Sequence, residues 1–167
     1  YGTSAWVTAP AIERASVLLK AAQLMLVKRL RLASLVCFEA GKQLNEALGD
    51  VDEAIDFLNF YAREELRVNH EGSKLGSRGV VAVISPWNFP LAIPCGMVAG
   101  SLAAGNAVIL KSAEQTPLVA EELIKLLHEA GVPQDMLCHL PGKGEVIGKQ
   151  LVEDERVSTI VFTGSKA

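Results

Sequence analysis

The chain has 167 residues, half of them hydrophobic, with a net charge of -3 and a mean hydropathy of +0.27. That length suits one domain or slightly more, with a sizeable core. The mild charge, and Lys and Arg scattered without a basic stripe, leave no electrostatic case for nucleic acid or an anionic membrane.

Cys37, Cys95 and Cys138 are an odd number at wide spacings, so they make neither a disulfide framework nor a CxxC metal pair. His70, His128 and His139 show no metal-ligand spacing, and no metal is expected. There is no glycosylation sequon, no leader of charged then apolar residues after Tyr1, and no run of about 18 apolar residues. A cytoplasmic protein is expected.

Pro10 reads as a helix-entry proline. From there Ile12, Ala15, Leu19, Ala22, Leu26, Leu30 and Ala33 recur in steps of three and four, a helical stripe that carries to about Ala40. Gly41 offers a C-cap. Such a span is long for one globular helix, so a break is expected near Arg29–Arg31. Asp50 is placed as the cap of a next helix, with Glu53 reaching back and Val51, Ala54, Ile55, Leu58, Tyr61 and Ala62 buried. Asn69 to Arg78 is polar and glycine-containing, a loop or an edge hairpin.

After Gly79 the texture changes. The pattern predicts strands at 80–84, 107–111, 136–140 and 158–163, and helices at about 91–104, 117–130 and 145–153. For the helix at 117–130, Thr116 is expected to cap, Pro117 to fill the first turn, Glu121 and Lys125 to pair, and Gly131 to end it. Val119, Leu123, Leu126, Leu127 and Ala130 should face inward. Strand-helix alternation of this kind predicts an α/β fold with a parallel sheet and right-handed crossovers. Helices cover 1–70, and a Rossmann-like βαβαβαβ portion covers 71–167.

Ligands in open parallel sheets bind at the carboxyl ends of the strands. The first strand ends in a stiff loop, Pro86-Trp-Asn-Phe-Pro90, where Asn88 can donate an amide N–H to a developing oxyanion or merely satisfy the loop backbone. The second strand delivers Lys111 and Glu114, a solvated surface pair or a pair that bonds ribose hydroxyls. A carboxylate there would repel a 2′-phosphate, which favours NAD over NADP. Gly142-Lys-Gly144-Glu-Val-Ile-Gly148 follows a strand, but its spacing is one residue longer than the dinucleotide fingerprint. Its amides can approach a phosphate or ribose, or it is a tight strand-to-helix turn. Gly164 and Ser165 stand where a helix start would suit a pyrophosphate, or where Ser165 is a simple cap. The three cysteines read as small buried hydrophobes rather than nucleophiles.

Taken in series, Ile84-Ser-Pro-Trp-Asn-Phe-Pro90, Ala104-Gly-Asn-Ala-Val108, Lys111-Ser-Ala-Glu-Gln-Thr-Pro117, Glu129-Ala-Gly-Val-Pro133, Leu140-Pro-Gly-Lys-Gly144 and Phe162-Thr-Gly-Ser165 resemble the aldehyde dehydrogenase superfamily. Within it, Glu53 to Glu64 and Phe89-Pro-Leu-Ala-Ile93 are similar to the Δ1-pyrroline-5-carboxylate (glutamate γ-semialdehyde) dehydrogenases, most of all to the form fused to proline dehydrogenase. The resemblance implies NAD as cofactor and an aldehyde as substrate. It implies Asn88 as the oxyanion amide, Lys111 and Glu114 on the adenosine ribose, and Ile84, Ser85, Pro86 and Trp87 lining the cofactor cleft. It also implies Gly142, Gly144 and their turn beside the adenosine, and Gly164 and Ser165 at the pyrophosphate. Ser112, within the second-strand motif, belongs to the same cofactor set and stands where many members carry Pro or another small residue. The family's nucleophilic Cys and general-base Glu are implied to lie past Ala167, in a catalytic domain this chain does not hold, so the chain alone is expected to be inactive. The intact enzyme is implied to be a homo-oligomer. A different aldehyde, or a non-catalytic module of the same fold, are the alternatives.

Overall fold

The computed structural model describes residues 4–70 and 76–164. Four helices come first: α1 (Ala5–Thr8), α2 (Ala11–Val27), α3 (Arg29–Ala40) and α4 (Leu44–His70). Then β1 (Val80–Ile84), α5 (Ala92–Ala103), β2 (Ala107–Lys111), α6 (Pro117–Ala130) and β3 (Leu137–His139) alternate. A π-helical turn (Gly144–Gly148), α7 (Lys149–Glu153) and β4 (Val157–Phe162) follow.

The sheet is parallel, in the order β3-β2-β1-β4. The chain steps outward from β1 to β3 and then jumps back to the far side of β1. That reversal lies beside the carboxyl ends of β1 and β4, the place where open α/β sheets form a crevice. One face of the sheet, Val81, Val83, Val108 and Leu110, is buried in the main core with α5 and α6. The other face is thinly covered by α7. Ile160 and Phe162 remain exposed there, Phe162 by 59%.

Several expectations hold in detail. The predicted α4 stripe is inward, with Val51, Ala54, Leu58 and Ala62 fully buried and Ile55 and Tyr61 half-buried. All five inward positions of α6 are buried. Glu121 and Lys125 pair at 3.7 Å, Gly41 closes α3 in the left-handed region, and Gly131 ends α6. α5 carries Gly96 and Gly100 against the rings of Phe57 and Tyr61, and a Cβ at Gly100 would lie 2.9 Å from the Tyr61 ring. These small residues let α4 and α5 pack closely. Asn106 explains the Ala-Gly-Asn-Ala motif. Its Oδ1 accepts the backbone N–H groups of Arg78 at 2.7 Å and Gly79 at 3.1 Å, which fixes the entry into β1.

Other expectations need correction. The α2–α3 stripe is only partly in phase: Ala15, Ala22 and Ala33 are buried as predicted, but Ile12, Leu19, Leu26 and Leu30 are exposed, and Leu18, Ala21, Met25, Leu32 and Val36 are buried instead. These helices carry apolar residues nearly all round, so periodicity offers two faces and tertiary contact chooses one. Arg14 makes the choice for α2. It donates to the Ala103 carbonyl at 2.7 Å and forms a buried ion pair with Glu65 of α4. The break falls at Lys28, just before the predicted position.

Asp50 is no N-cap of its own helix, because α4 already starts at Leu44. Thr116 makes no side-chain cap to α6; the Glu39 carboxylate does so from α3, accepting Leu118 N at 2.7 Å and Val119 N at 2.8 Å. Two carboxylate oxygens on two orphan amides outdo one hydroxyl. The helix placed at 145–153 is a π-helical turn followed by α7. β3 is shorter than predicted and β4 starts one residue earlier. α4 runs through His70 into the segment read as loop or hairpin; residues 71–75 lie outside the described residues.

Candidate functional site

Three strand exits meet at the carboxyl end of the sheet. The β1 exit gives Ser85, Pro86, Trp87 and Asn88, with Ile93 just beyond. The β2 exit gives Lys111, Ala113, Glu114 and Gln115, and the β4 exit gives Phe162, Thr163 and Gly164. Together they line a cleft of about 600 Å³. Parallel register makes this possible, because Ile84, Lys111 and Phe162 stand side by side at the strand ends. A second chamber of about 500 Å³ shares Lys111 and Phe162 with the first. Its walls are Ile84, Gly144, Gly148, Lys149, Val152, Glu153 and Ile160, mostly apolar.

Asn88 sits on the exposed loop rim of the cleft. Among the described residues no hydrogen bond ties its side chain to its own loop, so the amide is free to face a ligand. The loop is held from behind. Lys42 lies 3.7 Å over the Phe89 ring and 3.2 Å from Asp50, and Asp50 Oδ1 accepts the Ala92 amide at 2.7 Å. Burial pushes the Asp50 carboxyl above its usual range, against the opposing pull of the Ala92 amide and Lys42.

Lys111 is only 5% exposed, yet its ammonium reaches the junction of both chambers. Its Nζ donates to the Ser112 carbonyl at 3.0 Å. Glu114 is exposed and accepts the Gly144 amide at 2.7 Å. A Cβ built on Gly144 would lie 3.8 Å from Glu114 Oε1 and 4.0 Å from Lys111 Nζ. Glycine here lets an ammonium, a carboxylate and a backbone amide share one corner. The extra residue in Gly142–Gly148 is taken up by the π-helical turn, which holds more residues per turn than an α-helix.

The other predicted positions separate. Ile84 lines the apolar chamber, and Gly164 lines the first cleft. Gly142 lines neither of these cavities; its φ of 154° and a would-be Cβ 2.7 Å from Ile147 make it a turn glycine. Ser112 lies behind the cleft, 2% exposed, and bonds to His139. Ser165 lies outside the described residues. Cys95 is buried as expected, and burial raises its thiol pKa far beyond the usual range. Cys138 is exposed, against expectation: it sits on β3, a short strand at one edge of the sheet. No metal-binding cluster occurs, and no helix is long and apolar enough to cross a membrane, among the described residues.

Sequence reasoning missed Asp50 and Lys42 as loop anchors, and Val152, Ile160 and Phe162 as chamber walls. The alternation of Ser158, Ile160 and Phe162 along β4 was the available signal for two of these, since it puts them on one face.

A parallel α/β segment with a strand-end cleft at its switch point defines a ligand-binding domain of the doubly wound class. Residues 2–167 match the Aldehyde dehydrogenase family, and the chain belongs to it. It is 47% identical over 160 residues to the bifunctional protein PutA of Escherichia coli, covering 96% of this chain and 12% of that protein. It is 41% identical over 166 residues to 1-pyrroline-5-carboxylate dehydrogenase of Bacillus subtilis, covering 92% of this chain and 32% of that protein. Among solved structures, PutA from Bdellovibrio bacteriovorus superposes with a TM-score of 0.89 at 43% identity, over 96% of this chain and 18% of that one. A 1-pyrroline-5-carboxylate dehydrogenase from Thermus with bound NAD gives a TM-score of 0.89 at 40% identity, over 93% and 32% respectively. The chain thus spans between about an eighth and a third of the length of these relatives.

Proposed function

We propose that this chain is the NAD-binding part of a Δ1-pyrroline-5-carboxylate dehydrogenase, which oxidises glutamate γ-semialdehyde to glutamate in proline catabolism. The observation that carries the reading is one cleft lined by Asn88, Lys111 and Glu114, with Glu114 bonded to the amide of Gly144 in the adjoining chamber.

The residues present fit such a cofactor. The apolar chamber between Ile84, Val152 and Ile160 suits a flat adenine ring. Lys111 can donate to ribose hydroxyls and Glu114 can accept from them, while its negative charge opposes a 2′-phosphate. Thr163 and Gly164 line the cleft, where the backbone can approach a pyrophosphate. NAD, when bound, supplies the hydride acceptor.

Asn88 holds the substrate end. Its amide donates to the aldehyde oxygen as negative charge builds there, and the Lys42–Asp50–Ala92 anchoring keeps the loop in place while it does so. None of Cys37, Cys95 and Cys138 lines the cleft, and burial holds the Cys95 thiol in its protonated form. A nucleophile must come from elsewhere in the intact enzyme. The bifunctional PutA relatives support a fused proline-oxidising partner that supplies the semialdehyde.

The test has two arms. NAD added to the chain should quench the fluorescence of Trp87, which lines the cleft; Trp6 is buried at the far side, bonded to the Leu102 carbonyl. Asn88→Ala in the intact enzyme should lower kcat on the semialdehyde about 10²–10³-fold. No NAD binding, or an unaffected kcat, overturns the reading. The chain alone should form no NADH.

A further inference from the structure

Behind the cleft lies a hydrogen-bonded chain whose inner members, Glu121, His139 and Ser112, have no part in the reading above. His139 closes β3, and its side chain is only 5% exposed. Its Nδ1 lies 3.0 Å from Glu121 Oε2 on α6, and its Nε2 lies 2.9 Å from Ser112 Oγ at the β2 exit. The bond to His139 holds the Glu121 carboxyl below its usual range, so Glu121 is a carboxylate that can only accept. Nδ1 therefore carries a proton. In the neutral ring, Nε2 then accepts from the Ser112 hydroxyl. The Ser112 carbonyl in turn accepts from Lys111 Nζ at 3.0 Å.

Placement gives this chain its meaning. Ser112 and His139 are both shut off from solvent, so the serine is no nucleophile despite its imidazole and carboxylate neighbours. What the arrangement can do is hold the β2 exit still. Lys111 is a four-carbon side chain with a free rotor at its end, and its use in a binding site depends on losing that freedom beforehand.

We propose that His139 is a positioning residue for the nucleotide site: fixed by Glu121, it locks Ser112, whose carbonyl aims the Lys111 ammonium at an adenosine ribose. This deepens the nucleotide-binding reading and rests on it. Its effect falls on the adenosine end of the ligand alone.

The experiment titrates the chain with ADP-ribose and, separately, with nicotinamide mononucleotide. The proteins are the parent, His139→Leu, Ser112→Ala, the double variant and His139→Gln, each checked for folding by its thermal midpoint. Loss of one such bond should weaken ADP-ribose about fivefold in either single variant. The double variant should be no weaker than the singles, because His139 acts through Ser112. His139→Gln, which can still accept from the hydroxyl, should recover most of the loss, and mononucleotide binding should not change. In the parent, imidazole ¹⁵N shifts should report a protonated Nδ1. Unchanged ADP-ribose affinity in folded His139→Leu overturns the proposal, as do additive losses in the double variant. If His139→Leu does not fold, Ser112→Ala decides by the same criterion. Should the parent bind neither ADP-ribose nor NAD, the nucleotide reading itself fails and takes this inference with it. Tight binding by the parent with indifferent variants sinks the inference alone.

Discussion

The carboxylate of Asp50, in the second turn of α4, accepts the backbone amide of Ala92, the first residue of α5, at 2.7 Å. That one bond ties the helical layer to the segment that emerges from the Asn88 loop. It also caps a helix start for which Leu91 offers no side-chain oxygen.

Asp50→Ala should therefore destabilise the protein by about 1–3 kcal/mol, the cost of orphaning a buried donor. Asp50→Asn keeps an acceptor and should cost much less. The two differ in pH dependence. A carboxyl whose pKa is raised on folding stabilises the fold below its unfolded value and loses that contribution as pH rises through its folded value. Parent stability relative to Asp50→Asn should thus fall as pH climbs from 3.8, the ordinary value, through the raised one. Denaturant midpoints across that range check it; a flat difference would count against a buried Asp50 carboxyl.

Glu39 reaches from α3 to the first amides of α6. Glu39→Ala should cost about 1 kcal/mol as a lost cap, and Thr116→Ala should cost no cap energy at all. Thermal midpoints of the two variants, measured side by side, test which residue caps.

Arg14 and Glu65 form an ion pair with both side chains about nine-tenths buried. Glu65→Ala strands the guanidinium and should cost about 3–5 kcal/mol, whereas replacing both partners with apolar residues should cost far less. Urea unfolding of the single and double variants separates the two cases.

Glu114→Gln keeps an oxygen for the Gly144 amide and removes the negative charge beside Lys111 and Gly144. NADP affinity should rise about tenfold relative to NAD, as expected when roughly 1.4 kcal/mol of repulsion is lifted. Calorimetric titration with both nucleotides checks it, and an unchanged ratio would remove the argument for NAD selectivity.

Sequence alone was enough for the strands, though not for their order in the sheet. Val80–Ile84, between Gly79 and Pro86, and Ala107 to Leu110, just after Gly105, are apolar on both faces, so their type and near-boundaries follow from composition. The α6 stripe followed for the same reason, since its polar side is clearly charged. That Asn88, Lys111 and Glu114 share one cleft could be expected in advance because parallel strands must deliver their exits to one edge. What tertiary structure alone decided was the partner of each polar group. Asp50, Glu39 and His139 each bond across 27 or more positions of sequence, to Ala92, Leu118 and Ser112. Local patterns carry no record of such pairings. They arise because burying an amide or carboxylate without a partner is costly, and the nearest satisfying group is set by packing rather than by spacing. The same holds for α2 and α3: apolar on more than one side, they turned inward the face that Arg14 and the neighbouring helices could complete.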